Sequence, residues 1–202
     1  MEIKRLNSYS DARFSDLALR QHGCYLVDGL PCEVLILSQD TARITGASDN
    51  ALPPLIDAFR FHAPHITRFV DAQGRLLHCF APRELMTISL DDIQPSQFYV
   101  DEEKLTAVSS FLHRPEDVIV QVLPQDGRFI ALDGHTRLYW ASQRGWASVR
   151  AVTETADPYI FAFAAEAERR GILIPADMSL VSHDEYQVKW HQYCDDFFQR
   201  SR

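Results

Sequence analysis

The stretch whose reading decides the fold runs Val118-Ile-Val-Gln-Val-Leu123, then Asp126-Gly127, Phe129-Ile-Ala-Leu132 and Asp133-Gly134-His135-Thr136-Arg137. Two apolar, β-favouring runs on either side of an Asp-Gly dipeptide predict a hairpin with buried strands. The polar segment Asp133 to Arg137 then leads into a helix through Arg144, stopped by Gly145, and Val149 to Val152 returns as a strand. A strand pair, a polar turn, a helix and a further strand point to a mixed sheet rather than to an all-helical or all-β domain.

Working outward, Ile88-Ser-Leu-Asp-Asp-Ile93 predicts a short strand ahead of Pro95, and Asp101 is an N-cap with Glu102 and Glu103 at the positive end of a helix dipole. Leu105, Val108, Phe111 and Leu112 keep helical spacing behind it. Towards the C-terminus, Asp157-Pro158 opens a helix that Arg169-Arg170-Gly171 closes, and Ser182 with Glu185 forms a capping box. Tyr186, Trp190, Tyr193 and Phe197 follow at helical spacing, an aromatic stripe of the kind that belongs in a core. Before Pro82 the signals are a helix over Ser10 to Gln21, a hairpin around Asp28-Gly29, a strand at Thr41 to Thr45, a helix opened by Pro53-Pro54, and a hairpin around Asp71 to Gly74. The expected class is α+β. It comprises an N-terminal α/β region over 1–85 of unassigned role, a small mixed-sheet domain over 86–155, and a helical extension over 156–202 packing on it.

Composition bounds the function. The 202 residues carry 20 Lys and Arg against 28 Asp and Glu, a net charge of −8. That balance argues against a protein whose affinity comes from gripping nucleic-acid phosphates. Four scattered cysteines form no C-x-x-C pair, the first residues lack the apolar core of a signal peptide, and no run is long enough to span a bilayer. A soluble, reduced, cytoplasmic protein with no membrane partner is expected, its oligomeric state open. His62-x-x-His65 is interrupted by Pro64, so no metal centre is expected there. Trp140 and Trp146 are either core or a stacking surface for a base.

The chemistry sits in Asp133 to Arg137. The first N–H groups of a helix lack intrahelical partners and carry partial positive charge. Gly134 permits close approach, Arg137 can fork two N–H bonds onto a phosphate, and His135 and Thr136 add donors. Asp133 repels a phosphate unless a cation or a proton transfer intervenes, which suits phosphoryl transfer. The plainer alternative is that Asp133 caps the helix and Arg137 pairs with a local acid.

From Ile88 to Val152 these pieces together resemble the ParB/sulfiredoxin-like superfamily: Leu90-Asp-Asp-Ile-Gln-Pro-Ser-Gln97, the Asp101 helix, the strand pair, Asp133-Gly-His-Thr-Arg137 and Gly145-x-x-x-Val149. The superfamily includes CTP-binding DNA-partition proteins, sulfiredoxins, nucleases and ADP- or ATP-dependent free-serine kinases. His135 stands where sulfiredoxin chemistry needs a cysteine, and neither a basic G-E-R-R-type motif nor a helix-turn-helix signal is present. The Asp-Gly-His-x-Arg form is closest to the free-serine kinases. That resemblance implies catalytic roles for Asp133 and His135, and nucleotide binding by Gly134, Thr136, Arg137 and Gln97, with ATP or ADP and Mg²⁺ as cofactors. Gln97 stands where those kinases carry a catalytic glutamate, so either Asp133 works alone, or Glu102 or Glu103 reaches in, or the chain is not a kinase. The expected function is a nucleotide-dependent phosphotransferase acting on a hydroxyl of a small metabolite. The alternative is a non-catalytic nucleotide-sensing or partner-binding module, with a DNA-binding clamp behind both.

Overall fold

The computed structural model describes residues 1–200; positions 201 and 202, the end of the expected 156–202 extension, lie outside the described residues. The chain divides into two compact units, Met1–Leu85 and Met86–Arg202. The fold is mixed α+β, with helices at the C-terminal end.

In the first unit, β1 (Ile3–Arg5), β2 (Cys24–Val27), β3 (Leu30–Ile36), β4 (Thr41–Thr45), β5 (Arg68–Val70) and β6 (Leu76–Cys79) form one sheet in sequence order. Only β4 and β5 run parallel, because helix α2 (Leu52–Arg60) carries the chain back between them. The β2–β3 turn is built by Asp28 and Gly29, both at positive φ (49° and 82°), which matches the twist of a two-residue hairpin. Helix α2 starts on its two prolines and buries Leu55, Ile56 and Phe59 against Tyr25, Val34, Ile44 and Phe69. Helix α1 covers only Asp16–Arg20, shorter than Ser10 to Gln21. Asp11 turns the chain first, accepting from the N–H and guanidinium of Arg13, and Ser15 is the true cap, accepting from the N–H of Ala18.

The second unit is built on β7 (Met86–Ser89), β8 (Ile93–Gln94), β9 (Tyr99–Asp101), β10 (Ile119–Gln125), β11 (Arg128–Asp133), β12 (Ser148–Thr153) and β13 (Ser179–Val181). Five of these form a mixed sheet in the order β7-β12-β10-β11-β8, and β13 pairs with β9 in parallel as a separate ribbon. Asp126 and Gly127, at φ 48° and 81°, close the β10–β11 hairpin in the same way as Asp28-Gly29. Helices α3 (Glu102–Ser109) and α4 (His135–Gln143) cover the sheet, burying Val108, Leu138 and Ala141 against Val118, Val120, Val122 and Ala151. Asp101 caps α3 by accepting from the N–H of Glu103 at 2.9 Å. Trp140 packs on this core and its indole N–H donates to the carbonyl of Leu112 at 3.1 Å, so this ring is core rather than a stacking surface.

Helix α5 (Tyr159–Arg169) starts one residue later than Asp157-Pro158 suggests, with Pro158 in the cap position. The last helical run is α6 (His183–Tyr186), a π turn over Gln187–His191, and α7 (Gln192–Arg200). The capping box of Ser182 and Glu185 is formed. The extra residue of the π turn brings Trp190 and Tyr193 into a stacked pair, with ring planes 19° apart. Both rings meet Phe98, just ahead of β9, and Phe163 from α5. His183 adds an ion pair: its Nδ1 lies 2.8 Å from the fully buried carboxylate of Asp101, which holds the imidazole above its ordinary range.

Phe163 touches the rings of Tyr159, Trp190, Tyr193, Phe197 and Phe198, which makes it the keystone of the helical end. Phe163→Ala is expected to cost about 3–5 kcal/mol of unfolding free energy. Urea denaturation followed by tryptophan fluorescence measures it, because Trp190 sits on the same ring; a loss below about 1 kcal/mol would place the packing energy elsewhere.

Candidate functional site

The site is the junction of β11 and α4. A β-bulge precedes it: Gln121 pairs with Asp133 but Val122 with Ala131, leaving Leu132 as the extra residue of β11. A bulge bends its strand and re-aims the side chains that follow. Asp133 leaves the sheet there with its side chain 43 % exposed, and its Oδ1 accepts from the N–H of Gly134 at 2.7 Å. Gly134 is the N-cap of α4, with φ 92° and ψ 20°, a left-handed conformation that a side chain adopts only with strain. No side chain caps α4. The alternative in which Asp133 caps α4 is not what forms: its Oδ1 accepts from the N–H of Gly134, and the first N–H groups of the helix receive no side-chain cap.

Arg137 lies back over this start. Its Nη1 donates to the carbonyl of Ile119 at 2.5 Å, and its Nη2 is 3.6 Å from Oδ2 of Asp133. A Cβ on Gly134 would come within 2.7 Å of Val120 Cγ1 and 3.1 Å of the Arg137 guanidinium. The close approach that Gly134 permits is therefore made by the chain's own Arg137 and Val120. Thr136 is half-buried in the first turn.

His135 faces inward, 7 % exposed. Its Nε2 accepts from the backbone N–H of Ser96 at 3.1 Å, while the Ser96 hydroxyl donates to the carbonyl of Ala131 at 2.6 Å. This pattern assigns the ring proton to Nδ1. Burial pushes the imidazole down to about 4, against its ordinary 6.5, so the ring is neutral near pH 7. Gln97 is brought to the same turn, but its Nε2 donates to the carbonyl of Tyr99 at 2.5 Å. Glu103 lies 3.7 Å from His183.

Sequence reasoning missed Ser96, which ties the turn after β8 to the helix start. A serine between proline and glutamine carries no local signal, because its partners Ala131 and His135 lie 35 and 39 residues away. Gln94 was missed for the same reason: it is buried, and its amide donates to the carbonyls of Pro95 and Ile172. Among the described residues, no group of three or more His, Cys, Asp or Glu is placed to hold a metal ion, and no helix is long and apolar enough to cross a membrane.

Neither the family models nor the curated proteins include a match to this chain. Among solved structures, protein Atu1540 from Agrobacterium tumefaciens is similar at 18% identity and a TM-score of 0.32, over 48% of this chain and 53% of that one. A free serine kinase mutant in complex with AMP is similar at 19% identity and a TM-score of 0.29, over 38% of this chain and 32% of that one. The chain thus spans about half the length of the first and about a third of the second.

The buried His135 ties acid stability to the site. A histidine whose folded value is depressed stabilises the fold above its unfolded value and loses that contribution as pH falls. Unfolding free energy is expected to drop between pH 6.5 and about 4, by on the order of 3 kcal/mol if the ring stays neutral until the lower value. Denaturation midpoints across this window check it, and His135→Gln should flatten the slope; an equal slope in both proteins would assign the acid sensitivity to other groups.

Proposed function

We propose that the C-terminal unit binds a nucleotide at the β11–α4 junction and transfers a phosphoryl group from it to a hydroxyl of a small metabolite. The observation carrying this reading is a helix start with no side-chain cap, over which the Arg137 guanidinium lies beside a partly exposed carboxylate. The resemblance of Asp133-Gly-His-Thr-Arg137 to the free-serine kinases of the ParB/sulfiredoxin-like superfamily supports the same assignment. The N–H groups of the first turn, Thr136 and Arg137 would hold phosphate oxygens, with Gly134 setting the turn and Gln97 at the edge. Asp133 is the acid suited to a nucleotide-borne Mg²⁺, which would supply charge neutralisation on the phosphates.

Asp133 also suits proton transfer. As the acceptor oxygen would form its bond to the terminal phosphorus and the bond to the leaving nucleotide (ADP from ATP, AMP from ADP) breaks, the hydroxyl proton would pass to the Asp133 carboxylate. His135, neutral and turned inward, acts as a positioning residue by fixing the Ser96–Gln97 turn against the helix start. A second reading, a nucleotide-sensing module without turnover, is favoured by Gln97: a glutamine cannot serve as a base, and its amide is spent on Tyr99.

Asp133→Asn should lower phosphoryl transfer at least about 10²-fold while nucleotide affinity changes little. Arg137→Gln should weaken nucleotide binding about tenfold or more, equivalent to about 1.4 kcal/mol. Calorimetric titration with ATP, ADP and CTP in Mg²⁺, paired with a phosphoryl-transfer assay over metabolite hydroxyls, measures both. Turnover at the wild-type rate in Asp133→Asn sinks the catalytic role. Binding without turnover in the wild type establishes the sensing module instead.

A further inference from the structure

The last helical run is joined to the rest of its unit by a charged contact as well as by its aromatic stripe. His183, the first residue of α6, has a side chain 42 % exposed, whereas that of Asp101 is fully buried. A carboxylate only accepts, so His183 Nδ1 carries a proton and donates to Asp101 Oδ2 at 2.8 Å, while Asp101 Oδ1 accepts from the N–H of Glu103. Both carboxylate oxygens are thereby engaged, one by the start of α3 and one by the start of α6. Val181 of β13 pairs with Asp101 of β9, which brings His183 to this carboxylate. Strand β9 begins at Tyr99, whose carbonyl accepts from Gln97, so the run grips the strand that carries one edge of the candidate site.

The surroundings of His183 favour its protonated form. Glu103 of α3 stands 3.7 Å away, and Asp184 of α6 adds a further negative charge. The hydrogen bond to Asp101, together with the charges of Asp101, Glu103 and Asp184, holds the imidazole above its ordinary 6.5. The basic groups nearby are Lys104 of α3, over the Tyr186 ring, and His191 of the π turn. Burial, and then the charge of Lys104, lower His191, so it is neutral through the range in which His183 titrates. Gln187 lies between the two rings, 3.2 Å from His183 Nε2 and 2.7 Å from His191 Nδ1. Its amide turned one way donates to a neutral His183; turned the other way it accepts from a protonated one, with His191 Nδ1 taking the complementary role.

We propose that the run from His183 to Arg200 is a pH-gated arm, locked onto β9 and α3 while His183 is protonated and loosened as the ring loses its proton. The neutral ring still donates to Asp101, but it no longer answers the charge of a carboxylate shut off from water, and release lets water reach that carboxylate. A group held above its unfolded value contributes in full below 6.5, and the contribution is lost as pH rises through the folded value. His135 works in the opposite direction, weakening the unit as pH falls, so the two titrations separate. Other groups of the arm stay silent in this window: burial raises Cys194 to about 11 and raises Tyr193, and the bond to Glu185 raises Lys189. The gate does not depend on the nucleotide reading.

Hydrogen exchange of the full chain from about pH 6 to about pH 9, with rates corrected for the intrinsic pH dependence of exchange, reads the opening of the arm. The opening equilibrium of amides in 183–200 should rise about tenfold for each unit by which NMR places the His183 midpoint above 6.5, while amides of β10 and β12 keep their protection. In His183→Gln, which can still donate to Asp101, the rise should vanish. Asp101→Asn keeps an N-cap for α3 and should return the His183 midpoint towards 6.5. The proposal is overturned by arm exchange that does not change across the window, by the same rise in His183→Gln, by an equal rise throughout β10 and β12, or by an unmoved His183 midpoint in Asp101→Asn.

Discussion

The hydrogen bond from the Ser96 backbone N–H to His135 Nε2 is the constraint on which the candidate site of the C-terminal unit depends. It exists only with a neutral ring, because a protonated Nε2 would offer a donor to a donor. Burial supplies that neutrality by making the charged form too costly, and the Coulombic attraction of nearby Asp133 does not overcome it. The Ser96 hydroxyl then closes onto Ala131, so the end of β11, the turn after β8 and the first residue of α4 hold one another without solvent. The placement of Asp133 and Arg137 follows from that closure, since both belong to the segment it pins.

The junction also concentrates positive charge where a helix already has it. A cation in the first turn of a helix is unfavourable against the dipole, by roughly 0.3–1 kcal/mol, and a glycine cap in place of a capping side chain gives up roughly a few tenths of a kcal/mol more. Asp133 offsets part of this, but at 3.6 Å and nearly half exposed it is a screened partner rather than a buried one. The carbonyl of Ile119 holds Arg137 in this position regardless. A helix start that keeps a guanidinium and omits a capping side chain is the feature on which the proposed phosphate site rests.

Much of this architecture is legible in the sequence because it is local. Asp28-Gly29 and Asp126-Gly127 each specify a hairpin through two residues at positive φ, and the caps at Ser182 and Asp101 each lie within three residues of the N–H they satisfy. What stayed hidden is long-range or a matter of count. The β13–β9 ribbon joins segments about eighty positions apart, the bulge at Leu132 leaves no mark in an apolar run, and the π turn inside the aromatic stripe preserves a helical appearance. At Gly134 the conformational reason was readable, but the identity of the neighbour filling its space was not: that required knowing that Val120 faces it across the sheet.

The departure at Gln97 sharpens what the site can do. Of the acids near it in sequence, Asp101 is buried against His183 and caps α3, Glu103 leans to the same histidine, and Glu102 is exposed in the first turn of α3. Gln97 itself is tied to Tyr99. Asp133 is the carboxylate that shares the helix start with Arg137, and in the proposed transfer it would take the acceptor's proton. The same carboxylate would repel a bound phosphate unless a cation or that proton intervenes, which makes its cost in binding and its use in transfer two consequences of one group. A module that only sensed nucleotide would bear the cost without the use, and for that reason the exposed Asp133 weighs towards chemistry even where Gln97 weighs against it.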